Sequence, residues 1–442
     1  MPDFILPADA DYDSARLAWN LGADQRPAAV AVARNVEDVK ESLAWARERR
    51  LKVTNQTTGH AAEALPGLEG SLLMKTELHD GMVEIDAEAR TARVLAGASW
   101  DDVITAATPH GLTALHGSSP SVGVIGYLLG GGLSTYGRSH GLACNYIDAF
   151  EVVTEDGTEL RVDADTEPEL FWALRGGGGG LAVVTAVEIE LLPMAEVFAG
   201  ATFLPISAAA ATLDAWIKWT GTANDSTTSN FRIMRMPPFE EIPEPIRGRA
   251  VVCVDGVSVD QASGEELASL LAECGEPLMG GWGVQPTAAV TRLHGDPEEP
   301  MPGTGDSAML GSLDETAAQS FLTAVGPDAT TSLIVAELRH AGGQLGQPAR
   351  DAGVLDRLDG EFLLFGTGIA ADPGTTAATV SDLANLFEAM EPWTGETKFV
   401  NFAGADCEFD NCFPREAVDR LRLVFDQYSP QRLFLDSRAI DN

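Results

Sequence analysis

Lysine is nearly missing from this chain. Of 29 basic side chains only five are Lys (Lys40, Lys52, Lys75, Lys218, Lys398), against 66 acidic ones, and the formal net charge is −37. A field of that sign repels nucleic acid and anionic membrane surfaces, which are gripped through Lys and Arg contacts to phosphates, so neither is expected as a partner. A salt-rich cytoplasm and an Arg- and Ala-favouring genome would each produce this composition, and the source stays open. No apolar run reaches the ~18 residues of a membrane span. Met1 to Pro7 show no basic region, apolar region or twin Arg, so a cytoplasmic location is expected. Cysteine is sparse and odd in number (Cys144, Cys253, Cys274, Cys407, Cys412), with no CxxC pair, which fits reduced thiols. Cys407 and Cys412, spaced CxxxxC, read as incidental thiols, and no metal site is expected. Repeats and low-complexity tracts are absent. No GxGxxG follows an early strand with an acidic residue about 20 positions on, which argues against a Rossmann site.

With 442 residues, 45% apolar and 21% charged, the chain is a globular protein too long for one core, which stops growing near ~250–300 residues. From about Arg26 to Pro193 short β-branched runs alternate with helical stretches. Ala28–Ala33 reads as a strand, Val36–Arg50 as a helix, Val53 as part of a second strand and Ala92–Ala98 as a third. Trp100 to about Thr108 reads as a helix N-capped by Ser99. Phe150–Thr154 and Glu159–Val162 form a hairpin around Asp156-Gly157, and Leu181–Leu192 is a long strand. Beyond Pro193 come a helix (Ser207–Trp219), a Thr/Asn/Ser-rich loop (Thr220–Asn230), strands at Ala250–Val254 and Ser332–Leu338, a helix at Ser263–Cys274, and a Pro/Gly/Asp-rich loop over Ala289–Gly311. A loop of that length is often a lid or substrate loop, or simply mobile. A helix over Arg415–Tyr428 is followed by the tail Ser429-Pro430-Gln431-Arg432-Leu433-Phe434. The fold class is α+β: a nucleotide-binding unit, then a second domain with an antiparallel sheet covered by helices.

Three Gly-rich segments lie in the first block: Thr57-Thr58-Gly59-His60, Gly130-Gly131-Gly132, and Gly176 to Gly180. Glycines at element ends let backbone N–H groups approach an anion, as a pyrophosphate requires. Their order, with His116-Gly117-Ser118-Ser119-Pro120-Ser121-Val122-Gly123-Val124-Ile125-Gly126, Leu133-Ser134-Thr135-Tyr136-Gly137 and Glu169-Leu170-Phe171-Trp172-Ala173-Leu174-Arg175-Gly176-Gly177 followed by Val183-Val184-Thr185, resembles the flavin domain of the berberine-bridge-enzyme-like oxidoreductases of the vanillyl-alcohol oxidase superfamily. The resemblance covers roughly 26–193 and resumes near 398–437. It implies a two-part PCMH-type FAD-binding domain (1–195), a substrate domain (196–395) and a C-terminal segment returning to the flavin domain (396–442).

The resemblance further implies FAD as cofactor, held by Thr57, Thr58, Gly59, Ser119, Val122, Gly123, Gly130, Gly131, Gly132, Tyr136, Gly137, Val184 and Asn401, with a bond from His60 to the flavin 8α carbon. Bicovalent members add a Cys thioether; here the matching residue is Ser119, so a single covalent link is expected. Val122 matches the position governing oxygen access, where Val accompanies oxidases. Lys398-Phe399-Val400-Asn401-Phe402 resembles the family's Tyr-x-Asn-Tyr/Phe segment, but Phe at both aromatic positions removes the usual phenol base. Phe399 and Phe402 then read as pocket wall, with Phe362 and Phe365. For the base, Val335 to Gly343 resembles a strand of the substrate sheet. Alternation places Glu337 with Arg339 on one face and Leu338 with His340 on the other, and either pair is able to face the cavity. His340 titrates near neutrality; Glu337 and Arg339 serve as catalytic and substrate-pocket residues or as an ion pair; Tyr136 and His116 are further candidates. The function expected is hydride removal from an alcohol, amine or phenol to FAD, with O2 reoxidation to H2O2. The alternatives are a dehydrogenase using another acceptor, or a redox-weak flavoprotein binding a hydrophobic ligand. Oligomeric state is not readable.

Overall fold

The computed structural model describes residues 2–65 and 67–435. Its strands form three sheets, taken one after another along the chain. In the first, β1 (Asp3–Ile5), β2 (Ala29–Ala33), β3 (Lys52–Gln56) and β4 (Ser71–Thr76) lie in the order β1-β2-β4-β3. β2, β4 and β3 run parallel, and β1 is antiparallel to β2. β2 is Ala-Val-Ala-Val-Ala with every residue buried, as a strand covered on both faces requires. The helix Val36–Arg49 links β2 to β3; Asn35 caps it by accepting from the Asp38 N–H, and Arg50 ends it in the left-handed region.

The second sheet is antiparallel, β5 (Val83–Asp86), β6 (Thr91–Leu95), β7 (Ile147–Val153), β8 (Glu159–Asp163) and β9 (Val183–Glu190), in the order β5-β6-β9-β7-β8. Helix Trp100–Ala107 starts at a reciprocal Ser99–Asp102 capping box. The largest core packs this sheet against helix Val124–Leu129 and the C-terminal helix.

The third sheet holds seven antiparallel strands: β10 (Glu196–Pro205), β11 (Thr227–Arg235), β12 (Ala250–Ser258), β13 (Met279–Pro286), β14 (Gly303–Leu310), β15 (Leu333–His340) and β16 (Phe362–Ile369), in the order β13-β10-β12-β11-β15-β16-β14. Helices Ala209–Thr220, Gln261–Glu273, Glu315–Val325 and Pro373–Met390 cover one face, where Phe231, Val254, Leu338 and Leu364 are buried. The alternate residues, Arg232, Asp255, Glu337 and Leu363, point to the other face, toward the first half of the chain.

Two stretches read as loop are strand instead. Thr227–Asn230 opens β11, because Thr and Ser serve well on a pleated, half-buried surface. Gly303–Leu310 is β14, paired along its length with β16. β13, Met-Gly-Gly-Trp-Gly-Val-Gln-Pro, escapes sequence reading because glycine weakens the strand signature. Its Gly280 has φ 121°, and a Cβ there would lie 2.1 Å from the Ala201 carbonyl, so only glycine lets the two strands close.

The last segment returns to the first sheet. Helix Arg415–Tyr428 packs on helix Pro168–Leu174, with Arg420 paired to Glu169. Phe434 then bridges in parallel to Val53 of β3. Buried Glu155 holds this return: it accepts from Ser429 Oγ (3.0 Å), Gln431 N–H (2.9 Å) and Leu433 N–H (3.3 Å). Glu155→Ala strands the donors of buried Ser429 and Leu433, and each buried orphan costs about 1–3 kcal/mol. We expect urea unfolding to register a loss of about 3 kcal/mol; a change below about 0.5 kcal/mol would show that the tail is held some other way.

Candidate flavin and substrate site

β3 runs directly into the loop Thr57–His60, and Thr57 Oγ1 anchors that loop by donating to the Ala96 carbonyl at 2.7 Å. The carbonyls of Thr58 and Gly59 turn outward to accept from the N–H groups of Trp19 and Asn20. Among the described residues, the N–H groups of Thr58, Gly59 and His60 have no acceptor. The loop Ser118–Gly123 repeats the arrangement. Pro120 and Val122 carbonyls accept from Asp101 and Trp100, while the N–H groups of Ser118, Ser119, Ser121 and Val122 have no acceptor within the described chain. The two loops meet where a Cβ on Gly123 would lie 3.4 Å from Thr57. Seven N–H groups on partly or fully buried residues thus stay open to an anion. The third run, Gly176–Gly180, has φ of 86–87° at Gly176, Gly178 and Gly180, and open space beside Gly178 and Gly179. A pyrophosphate-linked cofactor therefore fits this donor set.

His60 stands at the junction of the two loops. Its ring stacks on Trp19 with centroids 4.2 Å apart; Nδ1 lies 2.8 Å from Thr58 Oγ1 and Nε2 lies 3.3 Å from Ser121 Oγ. Ser119 Oγ continues the chain, 3.2 Å from Ser121 Oγ. Burial pushes the His60 pKa down to about 4, with Asp296 opposing weakly, so the imidazole is neutral and keeps a lone pair near pH 7.

Facing these loops, the third sheet carries a compact buried ionic cluster. Arg339 Nε lies 2.9 Å from Glu337 Oε1, and Arg232 lies 2.6 Å from Asp255. His294 stands between the pairs, with Nδ1 3.1 Å from Asp255 and Nε2 3.4 Å from Glu337. Asp296 accepts from Ser118 Oγ at 2.6 Å, tying the cluster to the Ser118–Gly123 loop. Despite burial, the cationic neighbours Arg339 and His294 hold the Glu337 carboxyl below its usual range. The Arg339 guanidinium lies 4.8 Å over the Phe402 ring; Phe402 stacks on Phe399 and meets Phe365 edge-on. The face is thus an ionised carboxylate–guanidinium pair beside an aromatic wall.

Several residues expected at the site lie elsewhere. The His340 ring packs on the helix-covered face, among Trp216, Trp219 and Phe362, and burial there drives its pKa well down, while the residue also borders the small cavity lined by Ser118, Ser134, Asn230 and Arg339. Phe362, stacked on His340, leaves the pocket wall with it. Tyr136 is 1% exposed, sits edge-on to His116, and burial raises its phenol pKa, so it stays protonated and is no base. Gly130–Gly132 is not an anion cradle, since all three N–H groups are used: Gly130 and Gly131 bond to Gly126 and Leu128 carbonyls, and Gly132 donates to Asn401 Oδ1 at 2.8 Å. The triplet is instead the seat of the C-terminal segment, because a Cβ on Gly131 would strike Phe399 and Leu355. Asn401 is that segment's clasp. Gly137 faces Leu345, and Val184 is buried in the main core, so neither presents itself to the amide cradle.

Sequence reading missed Arg232, Asp255, His294 and Asp296. A signal was present: Phe231-Arg232-Ile233 and Cys253-Val254-Asp255 set a lone charge inside an apolar strand, where an unpaired charge is too costly to persist. His294-Gly295-Asp296 lay inside the supposed loop and matches no motif.

His116 gives the site a pH signature. It is fully buried, and desolvation lowers its pKa from 6.5 to about 4. Between these values the unfolded chain binds the proton and the folded one does not, so stability is lost as pH falls from about 6.5 toward 4, by up to about 3 kcal/mol for this one ring. We expect a lower thermal midpoint at pH 5 than at pH 7, and a His116→Gln variant in which that difference shrinks. An unchanged difference would locate the acid sensitivity elsewhere.

A family model described as an FAD binding domain matches residues 27–163. The chain is 31% identical over 189 residues to the (R)-6-hydroxynicotine oxidase of Paenarthrobacter nicotinovorans, covering 43% of this chain and 41% of that protein. It is 34% identical over 176 residues to the FAD-linked oxidoreductase pytB of Aspergillus terreus, covering 40% of this chain and 22% of that one. These matches thus span less than half the length of the curated relatives. Among solved structures, the Physcomitrella patens BBE-like 1 wild-type protein superposes with a TM-score of 0.85 at 16% identity, over 100% of this chain and 97% of that one. The glucooligosaccharide oxidase of Acremonium strictum, whose FAD is described as 6-S-cysteinyl and 8α-N1-histidyl, gives 0.82 at 20% identity, over 100% and 97%. Residues 27–163 therefore match an FAD binding domain, and the chain as a whole has the fold of the BBE-like 1 protein and of glucooligosaccharide oxidase.

Proposed function

We propose that this protein is an FAD-dependent oxidoreductase, an oxidase acting on a small alcohol, amine or phenol, with its flavin bound covalently through His60. The observation that carries the reading is the opposition of two elements. On one side are the unpartnered N–H groups of Thr58–His60 and Ser118–Val122; on the other is the buried Glu337–Arg339 face, fastened to the first by the Ser118–Asp296 bond. Bound FAD would supply the two-electron acceptor for a hydride from the substrate C–H bond, with molecular oxygen as final oxidant.

The chain's own groups divide the remaining work. The two loops bind and orient the pyrophosphate. His60, neutral near pH 7, offers its lone pair for the covalent link, and Ser119, a hydroxyl in place of a thiol, offers no second one. Glu337, kept ionised by its neighbours, accepts the substrate O–H or N–H proton, the part left vacant by the Phe residues at 399 and 402. The Phe399, Phe402 and Phe365 wall excludes water and favours an apolar substrate body over a sugar. No described helix is long and apolar enough to cross a membrane.

The test is to mix the flavin-loaded protein anaerobically with a panel of alcohols, amines and phenols, then admit air. Bleaching of the flavin absorbance by a panel member, followed by rapid return with stoichiometric H2O2, is the expected result. Bleaching with slow return would replace the oxidase by a dehydrogenase, and a flavin that no panel member bleaches would replace the enzyme by a ligand-binding flavoprotein.

A further inference from the structure

We infer that His294 is a positioning residue of the substrate face: an imidazolium set among the Asp255, Glu337 and Asp296 carboxylates that keeps the Glu337 carboxylate ionised. The inference rests on the proposed flavin-dependent reaction and assigns to it a residue outside the sequence motifs.

Geometry is the first argument. His294 enters the sheet face from the strap between β13 and β14; Nδ1 is 3.1 Å from an Asp255 oxygen and Nε2 is 3.4 Å from Glu337 Oε1. Nε2 also lies 3.9 Å from Asp296 and 3.2 Å from Arg339 Nη2, so carboxylates of Asp255, Glu337 and Asp296 stand within 4 Å of the ring nitrogens, with the Arg339 guanidinium beside them. The His294 backbone is fixed as well, because its carbonyl accepts from Arg232 Nη1 at 2.8 Å.

The second argument is charge parity. The groups facing His294 are Asp255 and Arg232 from β12 and β11, Glu337 and Arg339 from β15, and Asp296 from its own strap. Cys253 Sγ, 3.3 Å from Arg232, adds a thiol that burial keeps protonated, its pKa pushed up to about 12. Three carboxylates thus face two guanidiniums, with Asp296 at the solvent edge and the others buried, and the cluster closes to neutrality only with a proton on His294. An uncompensated buried charge costs several kcal/mol, so the fold itself favours the imidazolium. In agreement, the carboxylates raise the His294 pKa to about 9 against the opposing effects of burial and Arg232.

The consequence concerns the acid limb of the reaction. A cation within about 4–6 Å lowers a carboxyl pKa by roughly 1–3 units, so removing the His294 charge raises that of Glu337 by a similar amount. The strap also ties this control to the cofactor side: Asp296, two residues on, holds Ser118 of the second flavin loop, and the Glu298 carbonyl accepts from Nε1 of Trp19, the ring on which His60 stacks.

Two measurements test it. Ring-nitrogen NMR of 15N-histidine-labelled wild-type protein, with His294 identified by comparison with His294→Gln, should show both ring nitrogens protonated at pH 7 and one proton lost near pH 9. A neutral His294 at pH 7 overturns the inference, and this reading needs no turnover. In stopped-flow flavin reduction, His294→Gln should move the acid limb of the rate up by about 1–2 pH units, with flavin content unchanged; a limb that stays in place overturns it. Should the purified protein hold no flavin, the proposed function falls, while the NMR titration still decides the state of His294.

Discussion

Replacing His60 by Ala should leave a folded protein from which trichloroacetic acid or denaturant releases all flavin, whereas in the wild type the yellow colour stays with the precipitate. The tryptic peptide Val53–Lys75, which contains His60 and no internal Lys or Arg, should carry the mass of FAD in the wild type alone. The expectation follows from the protonation state of the ring. A nucleophilic imidazole needs its lone pair, and burial holds the His60 pKa near 4, so the neutral form is in large excess at pH 7. The Trp19 stack and the contacts to Thr58 and Ser121 fix the ring's orientation before cofactor arrives, lowering the ordering cost of the reaction. His60→Ala leaves the amide cradle intact, so non-covalent binding persists. Loss of the electron-withdrawing link should lower the flavin potential and slow substrate oxidation. Acid release of flavin from the wild type would remove the His60 bond from the account while leaving the cradle in place.

Glu337→Gln is the second large effect. The amide keeps the shape of the side chain but accepts no proton, and loss of a positioned general base lowers the rate of substrate-driven flavin reduction by about 10²–10⁴-fold. The substitution also leaves the cluster with excess positive charge, so flavin content and the far-ultraviolet spectrum must be matched to wild type before rates are compared. A matched protein that retains more than about a third of the wild-type rate would show that Glu337 serves only as the partner of Arg339. His340→Gln is the informative contrast: the ring packs among Trp216, Trp219 and Phe362 behind the sheet, so little change in the reduction rate is expected.

Local patterns carried much of the architecture. Helix Arg415–Tyr428, the Ser99 cap and the Asp156-Gly157 hairpin were legible because period, cap chemistry and turn chemistry act over a few residues. β13 and β14 were not, because their glycines answer to close packing against other strands, which no local window contains. The flavin loops were legible as Gly-rich segments, but which of the three cradles an anion was not. Thr57–His60 leaves its N–H groups open, whereas the Gly130–Gly132 amides are taken up by the helix end and by Asn401, 269 residues away in sequence. The face of β15 that meets the flavin side was likewise undecidable from alternation alone. Packing decided it, placing Leu338 and His340 under the helices and leaving Glu337 and Arg339 for the ionic cluster. His294 and Asp296 depend on a long-range return of the strap, so their role emerges only when the sheet and the second flavin loop stand side by side.

The measurement that bears most directly on the central claim is the visible spectrum and flavin content of the purified protein after expression with ample riboflavin. The account predicts a yellow protein with oxidised-flavin absorption bands and one FAD per chain. A well-folded but colourless chain that takes up no FAD on incubation would contradict it, because the open amides of Thr58–His60 and Ser118–Val122 would then serve no flavin.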